Sequence, residues 1–481
     1  MHSVDIIIIL TYLFVTFFVG IYFGKGVKSL KDYAVGNRSF TVPILVATIF
    51  ATMSGGNTVI GTSERLFAVG FIFLLTRLGD PIYKLLMARF VVPRMGRLSE
   101  CISVGELLKD KFGLFGQILG GGSAFIKSIG SVSGQITAIA IFMNAITGLS
   151  FFVSVIISSS IVIIYASYGG IRSVVMTDVI QFSVLIIGIP VLTAISLHTA
   201  GGYEIVISKI SSQHLSIPKR DIVWYGSLFV LSAIPIMNPA LVQRLLITRN
   251  LKFLEKSFKV SAFTEVPFLI MITLLVGSAF VLNPDISPNN VIPTLINTVL
   301  PIGVRGLVIA GMMAIIMSTA DSFLNTASVS FMNDIFKPLY RKKLSHKSEL
   351  FFVRFISVLV GLFAILSALY FKNIFNIYMA FLNVWIPVVV VPIYAVIFDY
   401  QCNKKDLILG AISGIASWLC WKFFVEDFIP VHPLLISLIC NFIVFFRKGI
   451  LGFIFPYDVK KKEVILLKKL HFIYRCFHPQ D

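Results

Sequence analysis

Charge is scarce in this chain. Asp, Glu, Lys and Arg make up 13% of its 481 residues, about half the share found in soluble domains. Apolar residues make up 57%, more than a water-soluble core can hide, so a soluble globular protein is excluded. Cysteine is also sparse. Cys101, Cys402, Cys420, Cys440 and Cys476 form no CxxC and no paired spacing, which speaks against a disulfide framework and a cysteine metal site. No HExxH or paired histidine occurs, and the histidines are scattered at loops and ends. A metalloenzyme is therefore not expected. The opening MHSVDIIIIL has no basic segment and no cleavage site, so the first apolar run is expected to remain as a membrane helix. No polar stretch is long enough to fold as a soluble module.

What the chain does have is apolar runs that recur at bilayer length, roughly 20 residues each. They predict an all-α polytopic membrane protein of about thirteen transmembrane helices. The spans fall at 5–24, 42–71, 73–93, 119–147, 151–169, 175–198, 223–247, 260–282, 303–335, 350–371, 374–398, 406–424 and 431–447. The net charge of +18 is concentrated in alternate loops: 25–38, 93–111, the turn at Arg172, the stretch from Arg244 to Lys259, 337–347, Lys404–Lys405 and the tail. The other loops hold only Lys209, Lys219, Arg220 and Lys372. This bias predicts an outside N-terminus and a cytoplasmic C-terminus in a cell membrane. It makes the basic charge a contact for the lipid bilayer and not for nucleic acid. Within the basic tail 448–481, VKKKEVILLKKLHFIYRCFH (459–478) alternates basic and apolar residues, compatible with a surface helix or a solvated tail.

Two spans carry helix breakers. ATMSGGNTVIG (51–61) holds Gly55–Gly56, and SAIPIMNPALVQR (232–244) holds Pro235 and Pro239. Backbone freed at such breaks must find a cation, a substrate, water or protein. The broken helices are five spans apart. They predict an inverted repeat: residues 1–40 as a leading helix and basic loop, 41–198 and 199–398 as five-helix halves, 399–447 as two trailing helices and 448–481 as the tail.

A cluster of hydroxyls with one acid lies deep in another apolar run: Ser318, Thr319, Asp321 and Ser322 in MSTADS (317–322). By themselves these hydroxyls could fold back on their own helix. Asp178, in VMTDVIQ, either marks an ion path or caps a helix at the membrane edge. Lys127 and Glu265 are further charges within spans.

YGGIRSVVMTDVIQF (168–182) and MSTADSFLN with its AGMMA lead-in resemble the two signatures of the sodium:solute symporter family. SVGELLKDKFG (103–113), NPALVQRLLITRN (238–250) and GNRSF (36–40) resemble lesser motifs of that family, and all run in family order. The resemblance implies the LeuT-type fold and sodium-driven symport by alternating access. It further implies a sodium site made by the carbonyls of Ala51, Ser54 and Ile315 and the hydroxyls of Ser318 and Thr319. Asp178 would then lie on the ion's exit path. Such a set suits a hard cation, because neutral oxygens replace its water without burying a carboxylate.

Family members that carry sugar place a carboxylate where this chain has Arg77, and their sugar-site residues on the seventh helix are replaced by Leu231 and Ile234. A sugar is therefore not expected. Arg77 suits a carboxylate, so the expected solute is an amino acid or small organic acid anchored by Arg77, with Asn57 and Thr58 beside it. Arg77 could equally pair with Asp80 on the same helix face. A membrane sensor built on the same module, with a separate signalling partner, is the rival reading.

Overall fold

The computed structural model describes residues 2–209, 219–340, 342–370 and 374–448. The tail from residue 449 and Lys372 lie outside the described residues, as do the side chains of Asn57, Lys209, Lys219 and Arg220. Among those described, the chain is helical, with one isolated bridge between Ser39 and Thr248. Among the described residues, eight helices are long and apolar enough to cross a membrane, nine if one bent pair counts as a span. Helix Phe151–Thr199 runs 49 residues, far beyond what a bilayer needs at about 1.5 Å per residue. It turns at Gly170, where φ is +56° and a Cβ would meet the carbonyl of Tyr33 at 2.6 Å. The spans expected at 151–169 and 175–198 lie on the two sides of this turn.

Helix Val104–Thr147 departs from expectation at its start. SVGELLKDKFG, expected in a loop, is helical from Val104 to a break at Gly113. Ser103 caps it, accepting from the amide of Glu106 at 3.2 Å. Arg244, grouped with a basic loop, is instead fully buried within helix Pro239–Leu246.

Both expected breaks are present. Helix Val42–Met53 ends before Gly55–Gly56, and Thr58–Val69 continues at an angle of 55°. Helix Lys219–Ala233 stops, and Pro239 restarts it in the first turn of the next helix. The freed carbonyls of this second break accept from protein: Trp385 Nε1 donates to Ile236 O at 2.8 Å and Tyr394 OH to Pro235 O at 2.5 Å.

The span Val304–Tyr340 that carries MSTADS is the most buried of the crossing helices. It packs chiefly against Phe151–Thr199 and Val104–Thr147. The leading helix Ser3–Gly24 shows Ile7, Leu10, Phe14 and Phe18 outward, as lipid contact requires. Its Asp5 turns inward and accepts from the amides of Gly303 and Gly306 at 2.8 and 3.0 Å. A carboxylate is favourable there, at a helix N-terminus.

Ion pairs knit the basic face. Glu100 gathers Lys31, Arg38 and Arg249 at 2.8, 3.4 and 2.5 Å. The Lys31 hydrogen bond holds the Glu100 carboxyl below its ordinary range. Asp399 gathers Arg97 and Lys111 at 2.9 and 2.5 Å.

Candidate functional site

The first break brings its helix against MSTADS. Gly55 permits the approach, since a Cβ there would meet Thr319 Oγ1 at 2.4 Å. Gly56 is pinned from a third helix, its amide donating to Gln135 Oε1 at 3.0 Å. Ser318 Oγ lies 3.1 Å from Ala51 O and 2.9 Å from Ile315 O. Thr319 Oγ1 lies 3.2 Å from Ala51 O and 3.5 Å from Ile315 O. Four of the five expected sodium ligands therefore converge across two helices. The hydroxyls do fold back on Ile315, and they also reach across to Ala51. Turning the two O–H groups away leaves four neutral oxygens close together, a donor set that fits a hard monovalent cation. Ser54, the fifth, ends the helix with φ −98° and ψ 57°. It is fully buried, and its hydroxyl donates to Glu265 Oε2 at 3.4 Å.

Gly55→Ala should raise the sodium requirement for transport about tenfold, because overpacking by a methyl costs about 1–3 kcal/mol. Sodium titration of uptake tests this; an unchanged requirement would show that the close approach is dispensable.

Asp178 does not cap a helix end but lies within helix Phe151–Thr199. It is fully buried beside Thr48, one turn before Ala51 on the broken helix. Thr48 Oγ1 donates to Asp178 Oδ2 at 2.5 Å, and Arg244 Nη2 to the same oxygen at 3.3 Å. Arg244 Nε also donates to Thr48 Oγ1 at 3.0 Å, and its Nη2 to Ser322 Oγ. Asp321 points to a neighbouring helix, accepting from Tyr165 OH at 2.6 Å. The Arg244 guanidinium thus pairs with Asp178 beside the oxygen cage, while Asp321 turns to Tyr165. The sequence reading missed Arg244 as the partner of Asp178; VQR within an apolar helix was the available signal.

A cavity of about 250 Å³ adjoins the cage, and Thr52, Gly55 and Thr319 form part of its wall. Arg77, Thr58 and Asp80 line it as well. Arg77 Nη2 donates to Thr58 Oγ1 at 3.1 Å and pairs with Asp80 at 2.8 Å. Glu64, Arg65, Tyr83 and Asn238 also line it, and sequence reasoning had not singled them out for the cavity. A second cavity of about 450 Å³ shares Arg65, Phe73 and Leu228 with the first. Its Trp224, Trp418 and His432 lie at the helix ends opposite the basic face.

The family model described as "Sodium:solute symporter family" matches residues 33–415. The chain is 24% identical over 479 residues to Sodium/glucose cotransporter 1 of Oryctolagus cuniculus, covering 86% of this chain and 72% of that protein. It is 25% identical over 450 residues to the Sodium/sialic acid symporter NanT of Aliivibrio fischeri, covering 87% of each. The solved outward-open structure of a Na+-coupled sialic acid symporter superposes with a TM-score of 0.82 at 21% identity. That match covers 94% of this chain and 98% of the other. The fold is therefore the LeuT-type fold. The chain belongs to the sodium:solute symporter family: a multi-pass, sodium-coupled transporter of a small solute and not an enzyme.

Proposed function

We propose that the transported solute is a small carboxylate, an amino acid or organic acid, anchored by Arg77. The observation that carries this reading is a guanidinium lining the cavity beside the ion cage, bound to Thr58 and Asp80. A carboxylate can replace Asp80 on it bidentately. Thr58 stands beside that anchor, and Asn57 is the second contact proposed. The cavity is at the small end of ligand pockets, in keeping with a small solute. The sialic acid named for some relatives is itself a carboxylate.

In this reading sodium binds the carbonyls of Ala51, Ser54 and Ile315 and the hydroxyls of Ser318 and Thr319. Asp178 lies on its exit path. The N-terminus faces outside and the C-terminus the cytoplasm, on the side of the basic loops. A charge crossing ~100 mV releases about 2.3 kcal/mol. A tenfold sodium gradient adds about 1.4 kcal/mol. One sodium can therefore concentrate a net-neutral amino acid a few hundredfold.

The test is uptake of a panel of amino acids and organic acids into proteoliposomes under an imposed sodium gradient. Arg77→Gln should raise the half-saturating concentration of the transported carboxylate about 10–100-fold, since a charge-assisted contact contributes about 1.5–3 kcal/mol. Carboxylate uptake unchanged in that variant would overturn the anchor. No sodium-driven uptake across the panel would overturn the solute class.

A further inference from the structure

The charges on the third span are spaced to serve both ends of the first break. Arg77, Asp80 and Lys84 share one face of helices Phe73–Arg77 and Gly79–Leu86. Arg77 holds Thr58, just past the break. Lys84 pairs with Glu265 of helix Leu251–Leu282 at 2.5 Å, and Glu265 accepts from Ser54, at the start of the break. The Lys84 and Glu265 side chains are 1% and 2% exposed. Lys84 also lies over the Phe50 ring, 5.1 Å from its centroid.

A buried ion pair is a poor stabilising device, because desolvation offsets its attraction and well-packed apolar residues often do as well. In a membrane interior the penalty is paired with scarcity: such charges are retained where they serve a site. Here the pair also accepts the hydroxyl of Ser54, the residue of the proposed sodium cage that closes helix Val42–Met53. The Ser54 amide still donates to Phe50 O at 2.8 Å, but its ψ of 57° has left helical geometry, so its side-chain contact adds a second restraint on the direction of its carbonyl.

We propose that Lys84 and Glu265 are positioning residues for sodium. Glu265, held by Lys84, fixes the Ser54 hydroxyl and thereby directs the Ser54 carbonyl at the ion. The same face of the third span fixes Thr58 through Arg77, so ion ligands and solute anchor share one support. This inference rests on the sodium site proposed above and deepens it.

The experiment uses sodium alone as the probe. Thermal unfolding of the purified full chain in detergent is followed against NaCl, with choline chloride holding ionic strength. In Lys84→Leu/Glu265→Met, which removes both charges together, the sodium concentration for half-maximal stabilisation should rise about tenfold, as loss of an outer-shell partner does at metal sites. Ser54→Ala keeps the ion pair and should shift the midpoint in the same direction, whereas Ser54→Thr should stay near the native value. A purely structural pair would lower the melting temperature without moving the sodium midpoint. An unmoved midpoint in both the double variant and Ser54→Ala overturns the proposal. Should the double variant not fold, Ser54→Ala decides alone. Ser318→Ala/Thr319→Ala separates the two levels. If it shifts the midpoint while the positioning variants do not, only the positioning role fails. If it too leaves the midpoint unmoved, the sodium site itself is misassigned.

Discussion

Sodium-driven uptake in Ser318→Ala/Thr319→Ala should need at least a hundredfold more sodium than in the native chain, or be lost. Each hydroxyl oxygen is one of five proposed ligands, and a polar contact to a charge contributes about 1.5–3 kcal/mol. Two such losses at one ion give about 3–6 kcal/mol, where about 1.4 kcal/mol is already tenfold. The fold should survive. Both side chains are small and sit within the helix Val304–Ser330, and alanine is a better helix former than either. The carbonyls of Ala51 and Ile315 remain, so residual sodium dependence at high concentration is the expected signature. The measurement is initial uptake rate against sodium at fixed ionic strength, with the solute saturating. A sodium dependence like that of the native chain would remove these hydroxyls from the ion site.

Arg244→Met is the substitution expected to destabilise most. Arg244 touches Asp178, Thr48 and Ser322, and its side chain and that of Asp178 are both fully buried. Removing it strands a buried carboxylate, a change of about 3–5 kcal/mol. Poor yield or a large drop in melting temperature should follow. Adding Asp178→Asn to the same chain removes the stranded charge and should recover most of the folded protein. Thr48 can still donate to the amide oxygen at residue 178. The pair of variants separates two roles that a single substitution confuses. If the double variant folds but no longer releases sodium and solute efficiently in counterflow, Asp178 acts on the ion's path. If it transports like the native chain, the Arg244–Asp178 pair is only structural. A single Arg244→Met variant with native stability would show that Asp178 does not depend on this guanidinium.

The contrast between Arg77 and Arg244 shows where reading a sequence stops. Arg77 was legible because its partner Asp80 is three residues away, and helical geometry alone places both on one face. Arg244 was not. Its partner lies 66 positions back, on a helix it meets only through packing. The same holds for Lys84 and Glu265, 181 positions apart, and for Tyr165 and Asp321, 156 apart. No periodicity links such positions. The two breaks differ in the same way. Gly55–Gly56 and Pro235–Pro239 mark them locally. Only the structure shows that the second has its carbonyls taken by Trp385 and Tyr394, while the first leaves Ala51 to the hydroxyls of another helix.

By itself, the order of residues determined the solvent, the helical class, the two breaks and the run of hydroxyls that a hard cation can use. Each of these follows from short-range chemistry: apolar length against bilayer thickness, backbone freedom at Gly and Pro, and the residue types within one turn. The tertiary structure decided that Ser318 and Thr319 meet Ala51. It also turned Asp321 to Tyr165 and not into the cage, and it placed a buried guanidinium on Asp178. Those choices depend on which helix faces which and in what register. Only the packed chain supplies that, because a buried polar group must find its partner wherever the fold has put one.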